Sequence, residues 1–392
     1  MRNNWSNGRM DKFFDLRMGK TPPRDNSIYW DDPANNWVAI SDMGKSKYIF
    51  HTKEQISDIA VSECRMSPVP ANTAIMSFKL SIGKAAITTE PIFTNEAIMS
   101  FIPKTEYENE ITTDYIYYYL LGFKWSGLGN KAVMGVTLNK KSLSSKPFSF
   151  PAISLQHKIV AELDQINDLI AKNRELLSQL DVLAQSLFYD TFGDPVSNPK
   201  GFSKTSLKEV SSVKIGPFGS LLHKEDYISG GTPLVNPIHM QNGYVVTDND
   251  FTIDDNKKET LSNYLLRRND IVFGRRGDIG RCALITSNED GYLCGTGSLF
   301  VRFIIPINSL FALWCFKQPS ITKYLIEKAK GATMLNINCG IVESIPLILP
   351  PLALQEAFAA KIEAIEAQKA KVDAEIAQLQ TLLDARMDYW FN

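Results

Sequence analysis

Asn72-Thr-Ala-Ile-Met-Ser-Phe-Lys-Leu-Ser-Ile-Gly83-Lys-Ala-Ala-Ile87 lies over Asn269-Asp-Ile-Val-Phe-Gly-Arg-Arg-Gly-Asp-Ile-Gly280-Arg-Cys-Ala-Leu284 without a gap, at an offset of 197. Pro147-Phe-Ser-Phe-Pro-Ala-Ile-Ser-Leu-Gln156 lies in the same way over Pro346-Leu-Ile-Leu-Pro-Pro-Leu-Ala-Leu-Gln355, at an offset of 199. An apolar strand, a turn glycine and a Pro-to-Leu-Gln helix opening, shared at nearly constant offset, mark an internal duplication rather than two unrelated domains. The chain is therefore written twice, a globular stretch followed by a long helix and then both again. One polypeptide imitates a dimer.

The helical segments, 151–196 and 350–392, carry a heptad seam. Apolar residues fall at Ile159, Leu163, Ile166, Ile170, Leu177, Leu180, Ala184 and Leu187 in the first, and at Phe358, Ile362, Ile365, Val372, Ile376, Leu379 and Leu383 in the second, which runs on to Trp390. Alternate spacings of four and three make this a coiled-coil seam, not a broad core face. A helix of about 37 residues spans roughly 55 Å, and a globular stretch separates the two helices in sequence. Antiparallel packing would bring together residues whose numbers sum to about 546. Asn173, a polar break in the first seam, would then meet the neighbourhood of Lys369 and Val372, and Asn173 with Lys369 would fix register at some cost in stability. A solvated Asn and a snorkelling Lys are the plainer reading. The expected fold class is α+β: two mixed globular domains, 1–150 and 197–349, joined by two long helices packed as an antiparallel coiled coil, with a pseudo-twofold relation between the halves.

At 392 residues each half can bury its own core. The polar opening Met1-Arg-Asn-Asn-Trp-Ser-Asn-Gly8 lacks a signal-peptide core, and Arg302, Pro306 and Asn308 break the best apolar run, so no membrane span is expected. Cys64, Cys282, Cys294, Cys315 and Cys339 are odd in number and scattered, which reads as reduced cytoplasmic thiols. The formal charge of −1 hides an asymmetry: 18 Lys+Arg against 15 Asp+Glu in residues 1–150 and 17 against 14 in 197–349, but 3 against 7 and 4 against 7 in the helical segments. Mildly basic globular parts and acidic helices fit domains that touch a polyanion, although a solvated surface gives a similar balance.

Each globular half reads as short strands bounded by Gly, Pro, Asn and Asp: Trp37 to Ile40, Ala74 to Phe78, Ala85 to Thr89 and Ala97 to Ile102, then Pro233 to Val235, Asp270 to Phe273, Cys282 to Ile285 and Ser298 to Ile305. A helix follows late in each, over Asp114 to Leu121 and Ser309 to Ala329. Between the paired central strands sits a tight basic turn, Lys79-Leu-Ser-Ile-Gly83-Lys84 or Arg275-Arg276-Gly-Asp-Ile-Gly280-Arg281. Gly83 and Gly280 permit the bend, and such a turn, cationic and with free N–H groups, can approach phosphates; a plain surface hairpin also needs its glycine. The candidate DNA-contacting residues are Lys20, Arg24, Lys45, Lys79 and Lys84 in the first half and Arg275, Arg276 and Arg281 in the second. Gly19-Lys20-Thr21-Pro22-Pro23-Arg24 has no close counterpart in Ile215-Gly-Pro-Phe-Gly-Ser220, and the stretches near 43–60 and 240–262 are unrelated. Divergent loops on a duplicated frame suit two different DNA half-sites.

Catalytic patterns do not assemble. Gly19-Lys20-Thr21 lacks the upstream glycine of a phosphate-binding loop, since position 14 is Phe14. Trp125-Ser126-Gly127-Leu128-Gly129 follows a helix rather than a strand, Pro22-Pro23 lacks the flanking residues of an amino-methylation tetrad, and His51, His157, His223 and His239 have no metal-ligand spacing. Arg276-Gly-Asp278 reads as turn chemistry.

The repeated Pro151 to Gln156 and Pro350 to Gln355 openings, the Leu187-Phe-Tyr-Asp-Thr-Phe-Gly-Asp-Pro195 close of the first helix, Gly19-Lys-Thr-Pro22 with Tyr29-Trp30 and Ile40-Ser-Asp-Met43, and Gly231-Thr-Pro-Leu-Val-Asn236 resemble the specificity subunits of Type I restriction-modification systems over essentially the whole chain. The resemblance implies two target recognition domains, each reading one half of a bipartite site in double-stranded DNA, with the coiled coil setting the gap. It implies no catalytic residue or metal here, S-adenosylmethionine on two partner modification subunits, and cleavage by motor-nuclease restriction subunits. Half-sites about one helical turn apart have centres separated by roughly 35–45 Å, the order of the helix length. Two other classes compete: a stand-alone nucleic-acid methyltransferase or nuclease, and a coiled-coil scaffold with protein- or carbohydrate-binding ends.

Overall fold

A computed structural model describes residues 4–79, 81–125, 130–132, 135–247, 250–329 and 336–392. It forms two compact units, one of residues 1–174 with 373–392 and the other of residues 175–372. Each long helix is thus divided between the two.

In the first unit, β1 (Ser6–Arg9), β2 (Phe14–Met18), β3 (Asn35–Val38), β4 (Ala74–Ser77), β5 (Ala85–Thr88), β6 (Phe93–Thr94), β7 (Ile98–Pro103) and β8 (Pro147–Phe150) precede or flank α1 (Thr113–Gly122), and α2 (Ile153–Phe192) follows. The main sheet has the order β2, β7, β4, β5 and then Tyr48–Ile49, a smaller one places β3 between Glu54–Ile56 and β6, and β1 pairs antiparallel with β8. Because successive strand residues face opposite sides, Ala74, Met76, Met99 and Phe101 enter one core with Tyr115 and Tyr119 of α1, while Ile75 and Ile98 enter another with Val38 and Met43. Strands covered on both faces read as continuous apolar runs, which is why they were visible in the sequence.

The second unit repeats this plan with β9 (Ser203–Ser206), β10 (Ser211–Ile215), β11 (Thr232–Val235), β12 (Ile271–Gly274), β13 (Cys282–Leu284), β14 (Leu293–Cys294), β15 (Ser298–Phe303) and β16 (Pro346–Leu349). Its main sheet has the order β10, β15, β12, β13. Register is retained: Ala74 faces Phe101 and Ile75 faces Ser100, as Ile271 faces Val301 and Val272 faces Phe300. Ile271 and Phe273 enter one core and Val272 the other, the same division as before. The stretches 43–60 and 240–262, expected to be unrelated, hold matching elements. Ser57 caps a helix at Asp58–Glu63 by accepting the Ala60 N–H, and Asp254 caps one at Asp255–Thr260 by accepting that of Lys257. Cap chemistry survived while the side chains diverged, so plain identity missed it.

The helix expected over Ser309 to Ala329 is two, α3 (Ser309–Phe316) and α4 (Pro319–Lys328). Pro319 has no N–H and pushes Gln318 into an extended conformation (φ −69°, ψ 140°), which ends the first helix and opens the second. The last helix is α5 (Leu352–Phe391).

The Leu-Gln opening of each long helix has a structural cause. Gln156 is fully buried; its Oε1 accepts the N–H of Thr112 at 2.9 Å, and its Nε2 donates to Glu110 O at 2.6 Å and Pro151 O at 2.8 Å. Gln355 does the same, accepting the N–H of Asn308 at 3.0 Å and donating to Pro350 O at 2.8 Å. Thr112 and Asn308 are the residues that cap α1 and α3, so one amide side chain joins the start of two helices in each repeat.

The seams pair antiparallel inside each unit. In the first, Glu162 of α2 accepts from the Arg386 guanidinium at 2.9 Å and the Trp390 indole at 3.1 Å, and Ile159, Leu163, Ile166 and Ile170 are buried. In the second, Phe188 packs edge-on against Phe358 at 5.7 Å and Lys369 pairs with Asp181 at 2.8 Å. Asn173 donates to Glu375 at 3.4 Å, and Lys369 also pairs with Glu366 at 3.1 Å. Both register residues therefore meet acids, and Asn173 sits slightly further along α5 than the neighbourhood expected for it. Phe391 closes the first unit, its ring 5.7 Å from Tyr115 and 5.8 Å from Tyr119.

Candidate nucleic-acid interface

The hairpin between β4 and β5 is built around Ser77. Gly83 N–H donates to Ser77 O at 3.0 Å and Lys84 N–H to Ser77 Oγ at 3.2 Å. Two of the N–H groups expected to be free for phosphate are spent inside the turn. In the second repeat the Arg281 N–H likewise donates to Asp278 O at 3.3 Å. Gly83 (φ +92°) and Gly280 (φ +96°) both occupy the left-handed region, and a Cβ on them would meet Trp125 at 3.0 Å or Thr322 at 2.7 Å. Each glycine is required twice over, by dihedral and by space.

Lys84 is exposed and lays its stem over Gly44, 3.6 Å from where a Cβ would stand, beside exposed Lys45, and Lys79 lies 5.5 Å from the Phe78 ring centre. Exposed Phe50 and Tyr48 stand at the rim of the same loop, ring centres 6.3 Å apart. Leu80 of the turn and Ser126–Gly129 of the glycine-rich stretch lie outside the described residues. Arg24 is committed elsewhere, bonded to both Glu54 oxygens at 2.5 and 3.0 Å and stacked 3.9 Å from the Trp30 ring centre. The Glu54 carboxylate holds the Arg24 pKa above its ordinary value. Lys20 donates from Nζ to Cys64 O at 3.1 Å and Arg65 O at 3.0 Å, in a separate cleft.

The three arginines of the second unit divide as well. Arg275 is half-buried with Nε donating to Ile337 O at 3.4 Å, and burial, then the neighbouring Arg276 charge, lower its pKa. Arg281 turns back, donating to Pro237 O and pairing with Asp278, each at 3.1 Å. Arg276 is exposed and has no ion-pair partner among the described residues. It lines a cleft of about 300 Å³ with Arg275 and Phe218, an exposed ring between Gly216 and Gly219. Sequence reasoning passed over Phe218; its signal was an aromatic displayed in a Gly-Pro-Phe-Gly turn. Free cations beside exposed rings can position phosphates and stack on bases.

A half-buried polar set lies behind the first turn. Lys47 Nζ bonds to Asp114 at 2.7 Å and Asp164 at 2.8 Å, Tyr118 donates to Asp164 at 2.5 Å, and Tyr48 donates to Asp114 at 3.0 Å. Burial opposes the Lys47 charge, but these carboxylates outweigh it and raise its pKa. The set ties the loop carrying Lys45 to α1 and α2, so it holds the turn rather than performing chemistry. Burial drives the Cys282 thiol up to about 12 and raises Cys294 and Cys315 as well, which makes all three poor nucleophiles. Among the described residues no His, Cys, Asp and Glu group could hold a metal ion, and no helix is long and apolar enough to cross a membrane.

Comparison with known proteins gives one consistent result. The family described as "Type I restriction modification DNA specificity domain" matches residues 2–181 and again 199–380. The chain is 22% identical to the Type I restriction enzyme MjaIX specificity subunit of Methanocaldococcus jannaschii over 97% of its own length and 91% of that protein. It is 24% identical to the Type I restriction enzyme EcoprrI specificity subunit of Escherichia coli over 42% of each chain. Its fold is similar to the Type-I restriction-modification system S subunit from M. genitalium, with a TM-score of 0.54, 13% identity, and 98% of this chain and 95% of that one covered. A chain from a structure concerned with complex assembly of the type I R-M system superposes with a TM-score of 0.65, at 15% identity over 100% of this chain and 98% of that chain. With the family's domain matched twice, once in each half of the repeat, the chain belongs to the Type I restriction-modification DNA specificity family.

Proposed function

We propose that this chain is the non-catalytic subunit that gives a Type I restriction-modification complex its DNA sequence specificity, each recognition domain reading one half of a bipartite double-stranded site. The observation that carries the reading is the duplication itself: one order of four central strands and one register, used twice, under different surface side chains. A twofold-related reader of identical halves would bind a palindrome; divergent halves suit an asymmetric target. Lys45, Lys79 and Lys84 with Tyr48 and Phe50 in one unit, and Arg276 with Phe218 in the other, are the groups available to meet DNA. The length of α2 and α5 sets the spacer between half-sites.

The reading extends to partners. S-adenosylmethionine would be bound by two modification subunits, and cleavage would belong to restriction subunits, in the cytoplasm where both act on the genome. Leu176, Val182 and Leu183, exposed on α2 outside its seam, support a helix that another subunit covers. A chain carrying only weak net charge would draw its affinity partly from phosphate contacts made by those partners.

Mapping methylated adenines in a host that carries this gene with its modification partner tests the function. A single bipartite motif with unequal halves is expected. Methylation without sequence preference would favour a scaffold, and transfer of methyl groups by the purified chain alone would favour a stand-alone methyltransferase.

A further inference from the structure

A cleft of about 370 Å³ opens beside the start of the first unit's main sheet, away from the basic hairpin, and is lined by Arg17, Lys20, Arg65 and Lys140 with no acidic residue among its lining. Two hydroxyls line the same cleft from inside the fold, Thr94 Oγ1 and Ser100 Oγ. Both residues are buried, at 2% and 0% exposure, and neither hydroxyl has a hydrogen-bond partner among the described residues. An unsatisfied buried hydroxyl is costly, and two of them facing one cationic cleft describe an acceptor-rich ligand. Lys20 supplies a further donor: two of its ammonium protons are held by Cys64 O and Arg65 O, which fixes the group and leaves the third proton to turn outward. Gly19 forms part of the wall; a Cβ there would lie 2.1 Å from Thr94 O, a constraint of the shared frame, since one on Gly216 of the second repeat would lie 2.1 Å from Gly295 O.

The duplication provides an internal control. The strand register that sets Arg17 opposite Ser100 sets Lys214 opposite Phe300 in the second repeat. Thr94 of β6 corresponds to Cys294 of β14, Lys20 to Pro217, and Lys140 to Cys339. Both hydroxyls and the Lys20 and Lys140 cations are missing from the copy, Arg17 is kept as Lys214, and the strands are retained. The cleft's polar lining is therefore not a requirement of the fold.

We infer that this cleft binds a phosphate group, and that it does so in the first recognition domain only. A tetrahedral dianion offers acceptors in several directions at once, which suits donors that converge as two hydroxyls, an ammonium and flanking guanidinium groups. The phosphate has two possible sources, the backbone of bound DNA or a free phosphate-bearing molecule; the DNA source rests on the function proposed above.

Calorimetric titration of the full chain with inorganic phosphate tests the inference. Wild type is expected to give saturable binding at one site, and Thr94→Val with Ser100→Ala to weaken it by at least about tenfold. Lys20→Gln with Arg65→Gln, which alters only exposed side chains, is expected to do the same and covers the case in which the buried pair impairs folding. Competition by phosphate against duplex DNA, with a shallower salt dependence in the Lys20 and Arg65 variant, assigns the site to the DNA backbone. Phosphate binding that leaves DNA binding untouched assigns it to a free phosphate compound. Phosphate binding in a chain whose assembled complex shows no DNA sequence preference would keep the cleft and remove the specificity reading. No saturable heat with phosphate, together with an unchanged DNA salt slope in both variants, overturns the inference and leaves a water-filled cleft.

Discussion

Gln156 and Gln355 each satisfy the exposed end of a neighbouring helix from a position with no access to water. Gln156→Leu fits the volume but strands the Thr112 N–H and the Glu110 and Pro151 carbonyls, and is expected to destabilise the first unit by about 1–3 kcal/mol; chemical denaturation followed by tryptophan fluorescence measures it. The arginines of the second hairpin separate by environment. Arg276→Ala should lower the salt dependence of DNA binding by about one phosphate contact with stability unchanged. Arg281→Ala removes bonds to Pro237 O and Asp278, so it should cost stability before it costs binding. Equal salt slopes for wild type and Arg276→Ala would take this hairpin out of the interface. The need for Gly83 and Gly280 was legible in the sequence. The internal use of the hairpin N–H groups was not, because Ser77 and Asp278 compete for them only once the strands are closed.

At the scale of elements, Glu162 links α2 to the end of α5. Its bond to Arg386, helped by Trp390, holds its carboxylate below the ordinary glutamate range. A depressed carboxylate stabilises the fold fully above its unfolded pKa, near 4.3, and loses that contribution as pH falls through the folded value. Acid unfolding of the first unit should therefore begin below about pH 4.3, and Glu162→Gln should lower stability near neutral pH while flattening this acid limb; a melting series across pH shows both. Asn173→Leu should raise the melting temperature by a few degrees and loosen helix register, since the bond from Asn173 to Glu375 is long at 3.4 Å. A fall in melting temperature would show that this bond matters more than its length indicates. The seams and the central strands were readable because each depends on periodicity, while the antiparallel sense came from the family resemblance. The break between α3 and α4 was equally present in the sequence, at Pro319, but a uniformly apolar run from Leu310 to Phe316 masked it. The clamp at Glu162 was out of reach, because it joins residues 224 apart in sequence.

For the whole molecule, the helix length is the quantity that the proposed function turns into spacing. Deleting one heptad from the same level of α2 and α5 shortens each by about 10 Å, or about three base pairs of duplex. The methylated motif should keep both half-sites and lose about that much spacer; an unchanged spacer would contradict the role of the helices. Half-site preference should instead follow exchanges of residues 43–60 or 240–262, where the scaffold is shared and the side chains are not.

Phe391 occupies a place against Tyr115, Tyr119 and Gly122 that only glycine leaves open, a Cβ at Gly122 standing 2.6 Å from the ring. The first unit is thus completed by residues 373–392, which leave the ribosome long after residue 174. During synthesis its aromatic floor must wait, uncovered, while the entire second unit is made. A message cut short in α5 would accordingly betray itself at the opposite end of the protein, as protease-sensitive chain around Tyr115, so that assembly of the oldest part of the molecule reports whether the newest has arrived.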